Sequence, residues 1–436
     1  MSDQPTSPQG PWWRSIGPAI IVASVVLGPG SILTSSKVGA QYGYQFLWLI
    51  LAAGCLMTVT MLLSSRLGLV YSRTLCGELG HRLGRAAPIA IGIILFLIIV
   101  GFQASNNLAV LAAIEPFQGE AAAGMLASPG ARALLLMVLN GLAIAFIYGF
   151  KKLYRPIEKV MMVLVLFMIA GFLSNLFFAG IDFSAALKGL LPSIPENTRF
   201  FPYKDTTGVL QDPFWAVQGL IATTFSVAGA FYQAYLIREK GWNTSHLRQG
   251  STDLLCGIAV LGGISLIIMM TSASSFFGKI DPKSLTSAAS VATQLEPLFG
   301  QKARFLFGVG LFAGAFSSFL GNALIGGTVF ADGLGKDCSL DGTWTRRFTV
   351  LVLVLSAGIA LALTLSGSDF IGHIIFAQAL TILGVPVLAL ALIYLATRPE
   401  ARQSGLIPGW MPAITTIGLL VSIAFAIRTA VKLGLG

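Results

Sequence analysis

Two short stretches of this sequence offer the chemistry of a binding site, and both interrupt runs of apolar residues. The first, VVLGPGSILTSS at residues 25–36, places Gly28, Pro29, Gly30 and Ser31 inside a run long enough to cross a bilayer. Proline lacks a backbone donor and glycine weakens a helix, so the stretch predicts an interrupted helix. Non-helical backbone at membrane depth is tolerated only where it lines a cavity or is buried in protein.

The second stretch is TTFSVAG at residues 223–229, and it opens the second half of the chain as the first stretch opens the first half. Its candidate binding residues are Thr223, Ser226 and Gly229. A lone Gly-Pro-Gly would indicate no more than a kink, because glycine and proline are common in membrane helices. Two interruptions in corresponding positions of two halves favour a secondary transporter with its substrate site at the breaks.

The elements that must position these residues are membrane-spanning helices. Of 436 residues, 55% are hydrophobic and 11% charged, and the mean hydropathy is +0.81, which is typical of a polytopic membrane protein rather than a soluble domain. Long continuous apolar runs exclude an outer-membrane β-barrel. The sequence predicts about eleven spans: Ile16–Ser36, Gln45–Leu69, Pro88–Ala113, Ala133–Phe150, Ile157–Ala179, Pro213–Ile237, Asp253–Ser274, Phe305–Phe330, Thr349–Leu365, Phe370–Ala396 and Pro412–Val431.

The positions of the charged residues and cysteines indicate the topology and the partners of the protein. The net charge of +10 comes from basic residues in short loops, which predicts a cytoplasmic N-terminus and no nucleic-acid partner. No cleavable signal peptide is visible at the polar N-terminus. The four cysteines are scattered singly, which indicates neither a disulfide framework nor a zinc site. The expected partners are the lipid bilayer, a small-molecule or ion substrate, and a coupling sodium ion or proton.

Several longer patches resemble the Nramp family of divalent-metal transporters. They are IGPAIIVASVVLGPGSILTSSKVGAQYGYQFLWLI, LSSRLGLVYSRTL, LLPSIP, LFAGAFSSFLGNALIGG and FAQALTILGVPVLALALIYLAT. The resemblance implies a LeuT-type fold of two inverted five-helix repeats with spans 1 and 6 interrupted, plus one extra helix. We therefore expect one transmembrane domain over residues 1–436, with a first repeat at 11–180, a second at 213–396 and the extra helix at 412–431. It also implies an integral protein of the bacterial plasma membrane.

The metal ligands of that family are not retained. Its first-span signature Asp-Pro-Gly-Asn corresponds to Gly28-Pro29-Gly30-Ser31, so the ligating carboxylate and amide are replaced. Its sixth-span signature Met-Pro-His-Asn corresponds to residues 226–229, Ser-Val-Ala-Gly. Neither Asp, Glu, His, Cys nor Met stands around the two breaks, and transition metals need such ligands. No metal or cofactor site is therefore predicted.

The missing aspartate suggests another substrate class. An interrupted helix exposes the amides and the positive end of its second half, so Gly30, Ser31 and Ile32 form a candidate cradle for an anion. Hydroxyl groups nearby could contribute: Ser31, Thr34, Thr223, Thr224 and Ser226. We expect a small anionic or zwitterionic solute moved by alternating access. Two alternatives stay open: a divalent-cation transporter with an atypical site, and a non-transporting sensor or channel-like protein.

Further polar residues are candidates for substrate contact, coupling or gating. The resemblance places a site glutamine of the family at Gln378 and a histidine of the family at Gln233, which with Tyr232 follows the second break. Gln103 and Asn106 lie in the third span, where amides cannot titrate and hydrogen bonding between helices is the expected role. In the eighth span, Ser317 with Ser318 and Asn322 offers oxygen ligands for a sodium ion, although small residues also allow close packing. His373 is either a proton acceptor or a packing residue. No motif indicates an enzyme.

Overall fold

The computed structural model describes residues 18–114, 128–195, 199–285, 301–365, 373–377 and 381–435. Its helices are α1 (Pro18–Val26), α2 (Pro29–Tyr42), α3 (Leu47–Val70), α4 (Leu75–Leu83), α5 (Ala86–Ile114), α6 (Pro129–Gly149), α7 (Tyr154–Phe178), α8 (Phe183–Gly189), α9 (Trp215–Thr224), α10 (Val227–Glu239), α11 (Leu247–Phe276), α12 (Gln301–Gly333), α13 (Thr343–Leu365), α14 (Val385–Ala396), α15 (Pro399–Gln403) and α16 (Trp410–Leu435).

The predicted all-helical polytopic architecture is confirmed. Within the described residues, nine helices are long and apolar enough to cross a membrane, or ten when the bent α1–α2 pair counts as a span. The shorter α14 lies where one more span is predicted. One small departure is a two-stranded antiparallel hairpin between α8 and α9, formed by β1 (Tyr203–Lys204) and β2 (Leu210–Gln211).

Both predicted interruptions are present. The last turn of α1 closes with a bond from Leu27 N to Ala23 O of 2.8 Å, and α2 begins with Pro29, which has no amide hydrogen to donate. The axes of α1 and α2 differ by 53°. In the second half, α9 ends at Thr224 and α10 begins at Val227. Within the described residues, the α1–α2 pair is the one whose axes differ by more than 40° at a break.

The span predicted over Phe370–Ala396 contains an interruption that the sequence analysis does not predict. In the described part of this span, a 3-10 turn at Thr381–Leu383 precedes α14, which starts afresh at Val385 after the N-cap Gly384. Pro386 in the first turn explains the discontinuity, because proline cannot donate to the preceding turn. The span is thus a third interrupted crossing that hydropathy alone does not reveal.

Helix α11 packs against both halves of the first interrupted span, and glycine makes each contact possible. An added Cβ at Gly257 of α11 would lie 2.9 Å from the carbonyl oxygen of Ala19. One at Gly39 of α2 would lie 3.0 Å from Ser272 Cβ, and the Ser272 hydroxyl donates to the carbonyl of Ser36. Small residues at membrane helix contacts allow this close approach, so α11 holds α1 and α2 in register across their break.

A buried ion pair joins the last helix, α16, to the segment just before α9. Arg428 is fully buried and pairs with Asp212, and its guanidinium also donates to Gln218 Oε1 at 2.6 Å and Phe200 O at 2.6 Å. Lys432 adds a second cation, 3.2 Å from Asp212 Oδ2. An arginine inside a predicted span is a functional or structural signal that the sequence interpretation missed.

We expect Asp212→Ala to destabilise the protein by about 3–5 kcal/mol, because it leaves the buried Arg428 guanidinium without its carboxylate. Adding Arg428→Met should restore much of the loss, since the apolar pair no longer contains a buried charge. Thermal unfolding of the purified protein in detergent measures both changes. An Asp212→Ala protein with wild-type stability would show that the pair is unimportant.

One carboxylate holds the β1–β2 hairpin together. Asp205 accepts hydrogen bonds from Thr207 Oγ1 at 2.6 Å and Gln211 Nε2 at 2.8 Å, and from the Thr207 and Val209 amides. These donors, led by the Thr207 hydroxyl, lower the pKa of Asp205 to about 2. A lowered pKa means that the stabilising contribution is present above the unfolded value and is lost as the pH falls through about 2.

The hairpin should therefore keep its order at neutral and mildly acidic pH and lose it only in strong acid. Hydrogen exchange of the Thr207 and Val209 amides checks this, with Asp205→Ala as the variant that should exchange faster at every pH above about 2. Equal protection in the variant and the wild type would rule out this role of the carboxylate.

Candidate substrate site

The carbonyl end of the first break is closed by three serine hydroxyls. The carbonyls of residues 24–26, in order, accept the hydroxyls of Ser317, Ser318 and Ser31, at 2.8 Å for Ser317 and 2.7 Å for Ser31. A helix leaves its last carbonyls without intrahelical partners, and in a membrane such groups must be satisfied within the protein. Two of the three hydroxyls come from α12, so this helix completes the end of α1.

The amide end of the same break is not closed in this way. Gly28 is the N-cap of α2 and provides no side-chain cap, and Pro29 has no amide hydrogen. The Ile32 amide donates to Gly28 O at 3.3 Å, which reduces the predicted cradle to the amides of Gly30 and Ser31. Because Gly28 has no side chain to cap these donors, we expect the positive end of α2 to favour an anion.

Position 28 has no room for a side chain. An ideal Cβ built on Gly28 overlaps the Ser318 hydroxyl and lies 3.0 Å from Ser318 Cβ. The backbone itself is extended, with φ of −79°, and would accept any residue. The packing of α12 therefore leaves no space for a carboxylate side chain at position 28. We call Gly28 and Ser318 the fitted pair, because the Ser318 hydroxyl fills the space that a side chain at position 28 would need.

The second break is capped by its own residues. Ser226 accepts from the Gly229 amide at 3.4 Å as N-cap of α10. Thr223 donates within α9, 2.9 Å from Gly219 O, so its hydroxyl proton is committed. By contrast, the buried Thr224 hydroxyl has no hydrogen-bond partner within the described residues, which marks it as a group that a ligand or water would satisfy.

A small cavity of ≈ 20 Å³ opens at this second break. Ser226 and Asn322 provide polar atoms in its wall, and apolar side chains of α5, α9, α10 and α14 complete it. A water needs roughly 10–15 Å³ by this measure. The cavity therefore holds one water-sized occupant, and this conformation is closed to an organic solute.

Tyr232 and Gln233 lie within α10, about two turns after its N-cap Ser226. An added Cβ at Gly229 would lie 3.0 Å from Val22 of α1, and Gln233, four residues on, shares that face. Gln233 is fully buried, and neither polar atom of its side chain has a partner within the described residues. Tyr232 is also buried and stacks on Tyr235, with ring centroids 6.0 Å apart.

The buried acidic residues that could serve the site lie at helix ends instead. Asp253 accepts from the Ala19 amide at 3.0 Å and so caps α1 from α11. Asp332, at the end of α12, accepts from Tyr235 and Thr74, each at 2.7 Å. Among the described residues there is no cluster of three or more His, Cys, Asp or Glu side chains that could hold a metal.

The predicted coupling residues Gln103 and Asn106 belong to a buried network of amides. Asn106 Nδ2 donates to Gln103 Oε1 at 3.1 Å, and Asn140 of α6 donates to Asn107 at 2.8 Å. Asn107 in turn reaches Ser356 of α13 at 3.4 Å. Asn107, Asn140 and Ser356 join three helices, whereas Gln103 and Asn106 bond to each other within α5, and Gln103 Nε2 and Asn106 Oδ1 have no partner within the described residues. A role of Gln103 and Asn106 between helices stays a prediction. Gln378, the predicted contact from the tenth span, lies outside the described residues.

A larger cavity of ≈ 940 Å³ lies between α5, α13 and the start of α14, where Gly384 of the third interruption lines it. His373 and Ser105 are the polar side chains in its wall, which is otherwise apolar. A polar solute needs convergent donors and acceptors. We therefore assign the candidate site to the first and second breaks, where such groups meet, and not to this cavity.

A helical membrane bundle with paired interrupted spans, whose free backbone ends meet inside the protein, defines a secondary-transporter fold. Solved structures of this kind resemble the chain. A mutant of the Eremococcus coleocola manganese transporter superposes with a TM-score of 0.74 at 18% identity, covering 99% of this chain and 88% of that one. The same transporter bound to an aromatic bis-isothiourea substituted compound gives 0.73 at 18% identity, covering 98% and 88%.

Sequence comparison then identifies the family. Residues 19–432 match the profile of the Natural resistance-associated macrophage protein-like (Nramp) family. The divalent metal cation transporter MntH of Pectobacterium carotovorum is 28% identical over 374 residues, covering 80% of this chain and 83% of the relative. MntH of Yersinia enterocolitica is 27% identical, covering 87% and 84%. The chain belongs to the Nramp family and is a membrane transporter, as the sequence motifs predict.

We expect Gly28→Ala to cost about 1–3 kcal/mol through overlap with Ser318, measured by thermal unfolding. The cost should fall in a Ser318→Gly background, where the overlap is absent, so that the two changes are not additive. Gly101→Ala on α5 is the matched control, because its added Cβ meets nothing within 4 Å. Full additivity of the two changes would contradict the fitted pair.

Proposed function

We propose that this protein is a secondary-active transporter whose central site, at the two helix breaks, takes a small anionic or zwitterionic solute rather than a transition-metal ion. The observation that carries the proposal is the asymmetry of the first break. Its carbonyl end is closed by hydroxyls, and the amides of Gly30 and Ser31 are left uncapped.

The charge around the breaks supports this choice. A dication in the closed bundle would need anionic ligands to offset the cost of leaving water, and the buried carboxylates of Asp253 and Asp332 already accept hydrogen bonds at helix ends. A carboxylate, in contrast, would accept hydrogen bonds from the two free amides and lie at the positive end of α2. Thr224 and Gln233 would supply further neutral donors and acceptors.

The size of the cavity at the second break supports transport by alternating access. In the closed conformation the cavity admits one water-sized occupant. The outer ends of α2 and α9 are linked by a 2.7 Å bond from Tyr42 OH to Pro213 O, and Asp253 holds the inner end of α1. A solute would enter and leave only when one of these closures opens.

A second candidate is transport of a divalent cation through an atypical site, and the relatives favour it. Two proteins that resemble the chain over most of its length bear the name divalent metal cation transporter. For this candidate, backbone carbonyls and the Asn322 and Ser226 side chains would bind a cation that keeps part of its water.

The proposal extends to arrangement in the membrane. We propose a bacterial inner-membrane location with a cytoplasmic N-terminus, a first repeat at residues 11–180, an inverted second repeat at 213–396 and an extra helix at 412–431. The neutral amides of Gln103 and Asn106 do not titrate, so any coupling to protons would use other groups.

Uptake into proteoliposomes, tested with small carboxylates, amino acids, Mn²⁺ and Mg²⁺, distinguishes the two candidates. We expect saturable uptake of at least one carboxylate-bearing solute. Gly30→Val should reduce it about 10–100-fold, because the bulky side chain displaces a charge-assisted hydrogen bond. Gly141→Val on α6, where an added Cβ meets nothing within 4 Å, is the control and should transport normally. Accumulation of Mn²⁺ with no response to any carboxylate would overturn the proposal in favour of the second candidate.

A further inference from the structure

The second half of the first interrupted span contains a lysine. Lys37 lies in α2, between the break and the end of the helix at Tyr42. Ionisable residues within membrane spans are costly and rare, and each is a candidate functional residue. The candidate site at the breaks does not include this charge, although an anionic solute would interact with it.

The surroundings of α2 distinguish this lysine from one at a lipid surface. The structure describes every residue of α2, and all of them except Lys37 and Gln41 are buried. Lysines on lipid-facing helices extend along apolar surface to reach the interface, whereas α2 is enclosed by protein on its other faces. The partial exposure of α2 is therefore confined to one place, where Lys37 and Gln41 lie one turn apart on the same face.

The partly exposed face of α2 is also the face of Gly30. Lys37 follows Gly30 by one heptad, and a heptad turns an α-helix to within about 20° of its starting direction. The two residues are separated by about 10 Å along the axis. Thr34 lies between them, and an added Cβ at Gly219 of α9 would lie 2.8 Å from its Cγ2 atom. In this conformation α9 therefore packs over the turn between the partly exposed lysine and the buried Gly30.

Two further cations lie near the same end of α2. Arg428 and Lys432 both pair with the single carboxylate of Asp212. Gln41 Nε2 donates to Tyr42 OH at 3.2 Å, and Tyr42 OH donates at 2.7 Å to the carbonyl of the residue that follows Asp212. With two cations for one carboxylate, this group of residues has a net positive charge, which attracts anions and repels cations.

We propose that Lys37 is a specificity-determining residue of the solute pathway, whose ammonium group binds the carboxylate of a solute one heptad away from the α2 amides and opposes the entry of cations. The inference rests on the proposed function and adds a charged residue to it. A carboxylate accepts charge-assisted hydrogen bonds from lysine and from backbone amides alike, so it can pass from one to the other. A cation is repelled at Lys37 before it reaches the neutral oxygens of the breaks.

The reactivity of an introduced thiol tests the charge without any transported solute. Gln41→Cys places the thiol one turn from Lys37 in the purified full-length protein. Its reaction rates are measured with anionic sulfonatoethyl methanethiosulfonate and cationic trimethylammonioethyl methanethiosulfonate. Relative to a free thiol in solution, we expect the anionic reagent to gain about 10-fold over the cationic one, because the ammonium attracts the first and repels the second. The wild-type protein gives the background from the native cysteines.

Changes at position 37 assign the preference to this lysine. In the Gln41→Cys protein, Lys37→Gln should bring the ratio of the two rates close to that of the free thiol. Lys37→Arg should keep the preference, because it keeps the charge. A structural role of the side chain alone would not change the ratio with the charge of the reagent.

Uptake of radiolabelled acetate, succinate and glutamate into proteoliposomes extends the test to the pathway. For each of these that the wild type accumulates, Lys37→Gln should raise KM about 10-fold with little change in kcat, since it removes binding and not a later step. Lys37→Arg should restore KM. Lys188→Gln, which removes an exposed lysine of α8, is the matched control and should transport as the wild type does.

Equal relative rates of the two reagents at Gln41→Cys, or an unchanged KM in Lys37→Gln, would overturn the role of Lys37. The reagent ratio is measured with Lys37 in place, so it decides the question even if the glutamine variant fails to fold. A wild-type protein that takes up no carboxylate overturns the proposed function and this inference with it. Wild-type uptake that Lys37→Gln leaves unchanged overturns this inference alone.

Discussion

The structure depends on how backbone groups freed by a helix break find partners where there is no water. Each unsatisfied group at membrane depth costs several kcal/mol, so an interrupted span persists only if the surrounding protein supplies donors and acceptors. Here α12 supplies hydroxyl donors to the end of α1, and nothing equivalent among the described residues caps the start of α2. Because the carbonyl end of α1 is closed and the amide end of α2 is not, the positive end of the α2 dipole dominates the electrostatics of the site.

The same hydroxyls explain why the first span carries glycine at position 28. Ser318 occupies the space beside Gly28 and bonds to the Val25 carbonyl. One side chain therefore both excludes a larger residue at position 28 and stabilises the break without a bound ion. Around it, α11 contacts both α1 and α2 through Gly257 and Gly39, so the two half-helices keep their relative position.

Hydropathy and the Gly-Pro-Gly stretch were sufficient to predict the spans and both interruptions, because these depend on local composition. The interruption before Val385 was missed, although Gly384 and Pro386 mark it, since a long apolar run conceals a break that leaves its hydropathy unchanged. The hydroxyl bonds to residues 24–26 were also beyond prediction. Ser317 lies 293 residues from its acceptor, and whether a serine donates to its own helix or to another depends on packing that no local pattern encodes.

The contact between Arg428 and Asp212 has a consequence for biosynthesis. The two residues are separated by 216 positions, so Asp212 is made long before its partner leaves the ribosome. Until the final helix is in place, Asp212 beside the start of α9 has no guanidinium partner. We therefore expect α9 to reach its final position only after the last helix has been inserted.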